Sequence, residues 1–111
     1  MAGNFSNTNP WFDTGTISAS YTSLPFRVGD FDRFAVQVVI SGSLVGNTKL
    51  QASIDDVTYI DIPDSSLNNT TPDAYLYSIA YFAYKYVRLV YTRTSGTGSV
   101  VSLLNLINFQ R

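Results

Sequence analysis

Aspartate is the residue type in this sequence whose side chain is best suited to catalysis or metal binding. All eight acidic residues are aspartates, and the chain contains neither histidine nor cysteine. Their absence removes the commonest general base, the Ser/His and Cys/His nucleophile pairs, and imidazole or thiolate metal sites. Paired carboxylates could still hydrolyse a glycosidic bond, so the positions of the aspartates have to be weighed separately.

The positions of the aspartates favour turn chemistry over catalysis. Nearly all of them fall at expected turns or strand ends, where a carboxylate accepts hydrogen bonds from backbone amides. Asp55, Asp56, Asp61 and Asp64 lie close together in sequence, and carboxylate oxygens are ligands that Ca²⁺ prefers. Their spacing is not that of an EF-hand loop, so we interpret them as solvated turn residues. The sequence therefore predicts no catalytic residue, no cofactor and no metal site.

The charge distribution narrows the kinds of partner. The net charge is −1, and the seven basic residues are scattered, whereas a nucleic-acid-binding surface needs clustered positive charge. No apolar stretch approaches the ~20 residues of a membrane span. Charged residues make up 14% of the chain, compared with about 25% in an ordinary soluble domain. We expect no nucleic-acid or membrane partner, and a surface that another protein chain covers in part.

Many short strands are the secondary structure that this sequence favours. Thr, Ser, Val, Tyr, Ile and Phe dominate, and turn residues recur about every ten positions, which is typical of a sandwich or barrel. The expected strands cover residues 14–21, 24–28, 32–41, 48–54, 57–62, 74–80, 85–93 and 99–108. Residues 64–73 are expected to form a loop. We predict an N-terminal arm over residues 1–13 and a single β-sandwich domain over residues 14–111.

Alternating apolar positions predict which side chains form the core. The pattern is clearest in the strand over residues 32–41, where every second residue is large and apolar. The predicted core residues are Phe34, Val36, Val38, Ile40, Leu50, Ala52, Tyr59, Val87 and Leu89.

The last strand is apolar on both faces. Val101, Leu103 and Ile107 lie on one face, and Val100, Leu104 and Leu106 lie on the other. A sandwich strand needs only one apolar face, so the second face indicates a partner or self-association. The alternative is an N-terminal arm that covers this face with Phe5, Trp11 and Phe12. The candidate partner-interface residues are Leu104, Leu106, Tyr75, Tyr77 and Tyr86.

The tyrosines of the second half of the chain admit three interpretations. Exposed rings could stack on sugars and make the domain a carbohydrate-binding module. Half-buried rings with a hydrated hydroxyl are ordinary in β-strands, and tyrosine is also enriched at protein interfaces. The residues concerned are Tyr75, Tyr77, Tyr81, Tyr84 and Tyr86.

Two segments resemble known jelly-roll proteins. The segment Leu50 to Ile62 resembles the L-x-A/V-S-N-D-G-x-x-W-x-x-I hairpin of discoidin-like, galactose-binding-like domains, and Tyr86 to Tyr91 resembles their Y-V-R-L strand. Asp56 replaces the turn glycine and must accept a positive φ, while Tyr59 replaces the tryptophan. Together with the glycine-containing turns on either side, the chain resembles small bacteriophage virion structural or decoration proteins.

The resemblance implies a fold and a class of function but no ligand site. We expect an all-β antiparallel sandwich of about eight strands, and we expect it to be a jelly roll. An immunoglobulin-like sandwich is the alternative, although the paired cysteines of that fold are absent. The expected function is that of a non-enzymatic structural protein in the virion, as a capsid decoration, spike or fibre component. It would contact other virion proteins and form a homo-oligomer. A carbohydrate-binding adhesin module is the alternative function.

Overall fold

The computed structural model describes the backbone of residues 4–80 and 82–109, and the side chains of residues 12–80 and 82–107. Ten β-strands make up the regular structure of these residues. The strands are β1 (Asn4–Asp13), β2 (Tyr21–Thr22), β3 (Phe26–Arg27), β4 (Arg33–Ile40), β5 (Val45–Ser53), β6 (Ile60–Asp61), β7 (Leu67–Asn69), β8 (Ala74–Ala80), β9 (Tyr86–Ser95) and β10 (Val100–Phe109).

The strands form two antiparallel sheets. The first sheet has the order β1-β10-β4-β8, and the second has the order β2-β9-β5-β6. In the second sheet β3 also pairs with β9, and β7 also pairs with β5. Each pair of short strands follows one edge of the second sheet. Counted as interrupted single strands, β2 with β3 and β6 with β7 complete an eight-stranded antiparallel sandwich.

The strand pairing is nested along the chain. β5 pairs with β6, β4 with β8, β3 and β2 with β9, and β1 with β10. The first half of the chain therefore runs beside the second half as one long antiparallel ribbon, which is folded over to make the two sheets. This connectivity is that of a jelly roll, as the sequence predicts, rather than that of an immunoglobulin-like sandwich.

The core lies between the two sheets. Phe34, Val36, Val38 and Ile40 of β4 are buried, while the residues between them are more exposed. From the second sheet, the predicted residues Leu50, Val87 and Leu89 are also buried. Further buried apolar residues are Val28, Leu44, Tyr77, Tyr91, Val100, Leu104 and Leu106.

Two predicted core residues are not fully buried. Ala52 pairs with the buried Val87 and shares its inward side, but it stands at the end of the sandwich and is only half-buried. The prediction for Tyr59 is wrong, because the guanidinium of the neighbouring Arg88 lies over its ring on the outer side of the second sheet. An aromatic residue in a hairpin can cover the outside of a sheet as readily as its inside.

Residues 4–13 belong to the sandwich, so the prediction of a separate arm over residues 1–13 is wrong for them. β1 pairs with β10 from Asn4 opposite Phe109 to Asp13 opposite Val101, with an irregularity between Pro10 and Phe12. Phe12 packs against the core. The side chains of Phe5 and Trp11 lie outside the described residues.

Candidate functional site

The last strand, β10, has one buried face and one outward face. Val100, Ser102, Leu104 and Leu106 point towards the second sheet and are buried. Val101, Leu103, Asn105 and Ile107 alternate with them and are partly exposed. Leu104 is 3% exposed and Leu106 is 2% exposed, so both are core residues and not the partner-interface residues that the sequence predicted.

The structure does not bring the three predicted interface tyrosines together on one surface. Tyr77 is 6% exposed and lies in the core, where its hydroxyl donates to Thr48. Tyr75 is half-buried on the same inward side of β8. Tyr86 is half-buried in the second sheet, where the guanidinium of Arg27 lies 5.7 Å from its ring centre. A single interface cannot include all of them in this fold.

An apolar surface lies on the outer face of the first sheet. It combines Val101, Leu103 and Ile107 of β10 with Val39 of β4 and Leu76 of β8. Leu76 is 66% exposed. We refer to these five side chains as the outer apolar face.

Cross-strand register joins four of the five side chains of the outer apolar face into two neighbouring strips. Val39 lies between Val101 and Ala74, and Gln37 lies between Leu103 and Leu76. Neighbouring side chains on one side of a sheet are about 5 Å apart, so each row forms an unbroken strip. These strips contain one polar residue and no charged residue on β10, β4 and β8. A partner that covers these two strips can therefore bury apolar area without desolvating a charge on them, whereas Ile107 lies in the row that contains Arg33.

The outer face of the second sheet is polar by contrast. Asp61 accepts hydrogen bonds from Lys49 at 3.1 Å and Gln51 at 2.8 Å, and Gln51 accepts one from Arg88 at 2.8 Å. The guanidinium of Arg88 is also 4.1 Å from the ring centre of Tyr59. The bonds from Gln51 and then Lys49 lower the pKa of Asp61. These polar side chains form hydrogen bonds with one another on the outer face, so that face is suited to contact with water.

Asp55 performs the turn chemistry that the sequence predicted. Its carboxylate accepts hydrogen bonds from the backbone amides of Val57 and Thr58, each at 2.9 Å, and from the Ser53 hydroxyl. The amide of Thr58, then that of Val57, and then the Ser53 hydroxyl hold the pKa of Asp55 below its ordinary value. The carboxylate is thus committed to closing the hairpin between β5 and β6.

Asp56 takes the backbone conformation that its position in the turn requires. Its φ is 60°, as predicted from its replacement of the turn glycine, and its carboxylate accepts a hydrogen bond from the hydroxyl of Tyr59. Asp64 also has a positive φ, of 62°, which the sequence did not predict. In the described part of the chain, acidic side chains do not gather into a group of three that could hold a metal ion.

An open cavity of about 460 Å³ lies at the end of the sandwich beside this hairpin. Ile54 and Ile60, which are 66% and 68% exposed, are among the residues that line it. The volume is within the range of small-molecule sites, but such sites usually add several converging polar groups. Here the carboxylates of Asp55 and Asp61 are occupied by internal hydrogen bonds. The cavity suits an apolar side chain better than a sugar. It is lined by Ala52, Ser53, Ile54, Asp55, Thr58, Ile60, Asp61, Ile62, Pro63 and Tyr84.

The tyrosines offer no open platform for a sugar ring in the part of the chain where side chains are described. Each described tyrosine is buried or half-buried, and guanidinium groups lie over Tyr59 and Tyr86. Tyr81 lies outside the described residues. The described rings thus favour the interpretation of ordinary half-buried β-strand residues.

One further feature concerns membranes. Among the residues that the structure describes, none form a helix that could span a membrane.

Comparison with known proteins relates this chain to others through its fold. No protein-family model matches the sequence, and no curated protein matches it either. Among solved structures, the SPBc2 prophage-derived protein YomS is similar over 97% of each chain, with a TM-score of 0.63 and 19% identity. The Tobacco streak virus coat protein dimer is similar over 98% of this chain and 88% of that chain, with a TM-score of 0.59 and 8% identity.

A third similar structure is that of the infectious bursal disease virus Gx strain. The match covers 93% of this chain but 32% of that longer chain, with a TM-score of 0.59 and 13% identity. At these identities the likeness shows a shared β-sandwich fold and nothing more. The discoidin-like part of the sequence resemblance is not confirmed by these comparisons.

Proposed function

We propose that this chain is a non-enzymatic structural protein of a bacteriophage particle, as a capsid decoration, spike or fibre component. The observation that carries the proposal is the outer apolar face. β10 contributes Val101, Leu103 and Ile107 to it while burying its other side in the core. Contiguous apolar surface on a soluble protein commonly marks a protein-interaction site.

The difference between the two outer faces supports a docking role. The second sheet covers its outside with the network around Asp61, which water can solvate. The first sheet leaves side chains such as Leu76 exposed. Burying apolar surface stabilises an assembly by about 25 cal/mol per Å². A subunit held through its first sheet would present its second sheet to solvent.

The side-chain chemistry supports a non-enzymatic role. The chain has no histidine or cysteine. Asp55 and Asp61 direct their carboxylates at backbone amides or at neighbouring side chains, rather than at a common point where a substrate could react. A general acid and base have to reach the same substrate, and these two acids serve separate structural contacts.

The comparisons add support for a virion protein. One similar structure is a prophage-derived protein of nearly the same extent, and two others belong to viruses. The same fold also serves unrelated functions, so the fold supports the proposal without deciding it.

The test is a mass-spectrometric inventory of particles purified from the phage or induced prophage that encodes this chain. We expect the protein in the particles at a reproducible ratio to the major capsid protein. The variant Leu103→Arg, which places a charge in the outer apolar face, should be lost from the particles. The matched control Thr92→Arg adds the same charge to an exposed, outward position of the second sheet and should be retained. Absence of the wild-type protein from complete particles would overturn the proposal, as would equal retention of both variants.

A further inference from the structure

The edges of the two sheets differ in how well they are protected. An edge strand presents unpaired backbone N–H and C=O groups that can template pairing with another strand. Proteins block this with short edge strands, prolines, charged residues or bulges. In this fold one edge lacks all of these devices.

Three of the four sheet edges are protected. β1 carries Pro10 and an irregularity in register between Pro10 and Phe12. In the second sheet, β2 and β3 are two residues each and are separated by a segment that contains Pro25. On its opposite edge, β6 and β7 are two and three residues long, and Pro63 lies between them. None of these edges offers a long, regular template.

β8 is the unprotected edge. It is seven residues long, with the sequence AYLYSIA, and contains no charged residue and no proline. It pairs with β4 without interruption, from Ala74 opposite Val39 to Ala80 opposite Arg33. Among the described strands, β4 is its only hydrogen-bonded neighbour. A long, regularly paired and uncharged edge of this kind is where strand addition is expected.

The direction of the free backbone groups follows from one hydrogen bond. The amide of Ile40 donates to the carbonyl of Asp73 at 2.9 Å, in the same register as the β4–β8 pairing. Because hydrogen-bonded and non-hydrogen-bonded pairs alternate along antiparallel strands, Tyr75, Tyr77 and Ile79 bond to β4. The N–H and C=O groups of the residues between them therefore point away from the sheet.

Leu76 and Ser78 lie at the centre of this open run. The amide of Ala74 is already occupied, because it donates to the carboxylate of Asp73 at 2.8 Å. Leu76 and Ser78 are both exposed, and Leu76 also belongs to the outer apolar face. The free edge and the outer apolar face thus meet at Leu76.

We infer that β8 pairs in antiparallel orientation with β8 of a second copy of this chain, about a two-fold axis. This inference rests on the proposed structural role. It adds to that role a first partner, which is a second copy of the chain, and the strand that makes the contact, which is β8. Pairing centred on Tyr77 sets Leu76 opposite Ser78 of the other copy, so that the free backbone groups of each bond to the other. The first sheets of the two copies become one continuous sheet.

A second copy fits this edge better than another protein segment does, on three grounds. Strand addition needs a partner strand that is itself open, and every copy brings a β8 of identical length. The strand is uncharged, so two copies meet without like-charge repulsion. The two-fold register also places Tyr75 opposite Ile79, an aromatic and β-branched pair of the kind that stabilises antiparallel strands.

The same geometry stops the assembly at two copies. The continuous sheet has β1 at each end, and both of these ends carry Pro10 and the irregular register beside it. A two-fold contact uses the same surface on both subunits and therefore closes. The axis stands perpendicular to the sheet, so the two outer apolar faces lie on one side of it and form one larger docking surface.

Light scattering coupled to size exclusion tests the pairing on the isolated full chain. We expect twice the chain mass of 12.3 kDa at high protein concentration. The variant Ser78→Pro removes an outward N–H without removing a bond to β4, and it should yield a monomer with an unchanged circular dichroism spectrum. Leu76→Lys should also yield a monomer. The control Gln37→Lys places the same charge beside Leu76 on the central strand, and it should remain a dimer.

Hydrogen exchange provides a readout that does not depend on any variant. The amides of Leu76 and Ser78 should become protected as the wild-type protein is concentrated, whereas those of Tyr75, Tyr77 and Ile79 should be protected throughout. A wild-type monomer at every concentration overturns the pairing. So does a dimer that Gln37→Lys disrupts and Ser78→Pro does not, since that would be face-to-face packing. A monomer found in particles overturns this pairing alone, and a dimer absent from particles overturns the proposed function alone.

Discussion

The hydroxyl of Tyr77 donates a 2.9 Å hydrogen bond to Oγ1 of Thr48, and this bond joins the two sheets through the core. Tyr77 comes from β8 and Thr48 from β5, and Thr48 is fully buried. A buried hydroxyl that loses its partner retains its desolvation cost. We therefore expect the hydroxyl of this buried tyrosine to contribute more to the stability of the fold than the hydroxyl of a tyrosine at the surface.

Replacement of Tyr77 by phenylalanine should lower the free energy of unfolding by about 1–2 kcal/mol, because Thr48 would be left unpaired. Tyr75→Phe is the matched control, since its hydroxyl donates to the carbonyl of Thr71 at an exposed site. We expect the control to cost less than about 0.5 kcal/mol. Urea denaturation of the three proteins provides the measurement, and equal losses in both variants would show that the inter-sheet bond has no special weight.

Truncation within β4 should distinguish its two faces. Val38→Ala removes buried methyl groups and should lower the free energy of unfolding by about 1–4 kcal/mol. Val39→Ala removes the same groups from the outward side and should cost less than about 1 kcal/mol in the monomer. Both values come from denaturant titration at low protein concentration. A larger loss at Val39 would mean that the register is shifted by one residue, which exchanges the faces.

Alkaline pH should destabilise the fold through Tyr84. Burial raises the pKa of Tyr84 from its ordinary value near 10 to about 12. Its ring stacks on Phe82 with the centres 5.0 Å apart. Below pH 10 the hydroxyl is protonated in both the folded and the unfolded chain, so no stability is lost. Between pH 10 and about 12 the unfolded chain releases this proton first, and stability falls as pH rises.

Tyr84→Phe should therefore lose stability less steeply than the wild type across this alkaline window. At neutral pH the variant should be at least as stable, because the hydroxyl of Tyr84 is buried without a hydrogen-bond partner in the described part of the chain. Denaturant unfolding at a series of pH values tests both statements. Identical slopes for the two proteins would contradict the role of Tyr84.

The hairpin between β5 and β6 should depend on Asp55 and not on calcium. Asp55→Ala removes the acceptor for the amides of Val57 and Thr58 and should lower the melting temperature. Because the pKa of Asp55 is lowered in the folded chain, its contribution is present above pH 3.8 and is lost as pH falls below that value. Calcium and a chelator should leave the melting temperature of the wild type unchanged. A calcium-dependent rise that Asp55→Ala abolishes would favour a metal site.

Strands rich in β-branched and aromatic residues could be predicted closely from the sequence. The prediction of residues 74–80 coincides with β8, and the prediction of residues 32–41 contains β4. β1 was missed because its residues are mostly Asn, Ser, Thr and Pro, without apolar alternation. It becomes a strand through its pairing with β10, a tertiary contact that local sequence does not encode. The short edge strand β7 lies in the segment 64–73 that was expected to form a loop, and it is set in the same way by its pairing with β5.

The candidate surface could be predicted only in part. The sequence shows that β10 is apolar on both faces, and the structure confirms two apolar faces. Which face meets the second sheet depends on the pairing of β10 with β4, since alternation alone is symmetric. The buried Ser102 lies on the inward face with Leu104, so polarity could not identify that face either. The outward face of β10 can therefore be identified only from the structure.

Nested strand pairing has a consequence for the order in which the chain can fold. Gln51 pairs with Asp61, Phe34 with Ile79, and Asn4 with Phe109, so each pair encloses the one before it. Once the β5–β6 hairpin has formed, each later pair closes only a short additional loop, at a small entropic cost. The folding route with the lowest entropic cost therefore starts at that hairpin, proceeds outward through the nested strand pairs and adds β1 last. Until β1 arrives, β10 is an uncovered edge with two apolar faces, and this interval is when the folding chain is most exposed to aggregation.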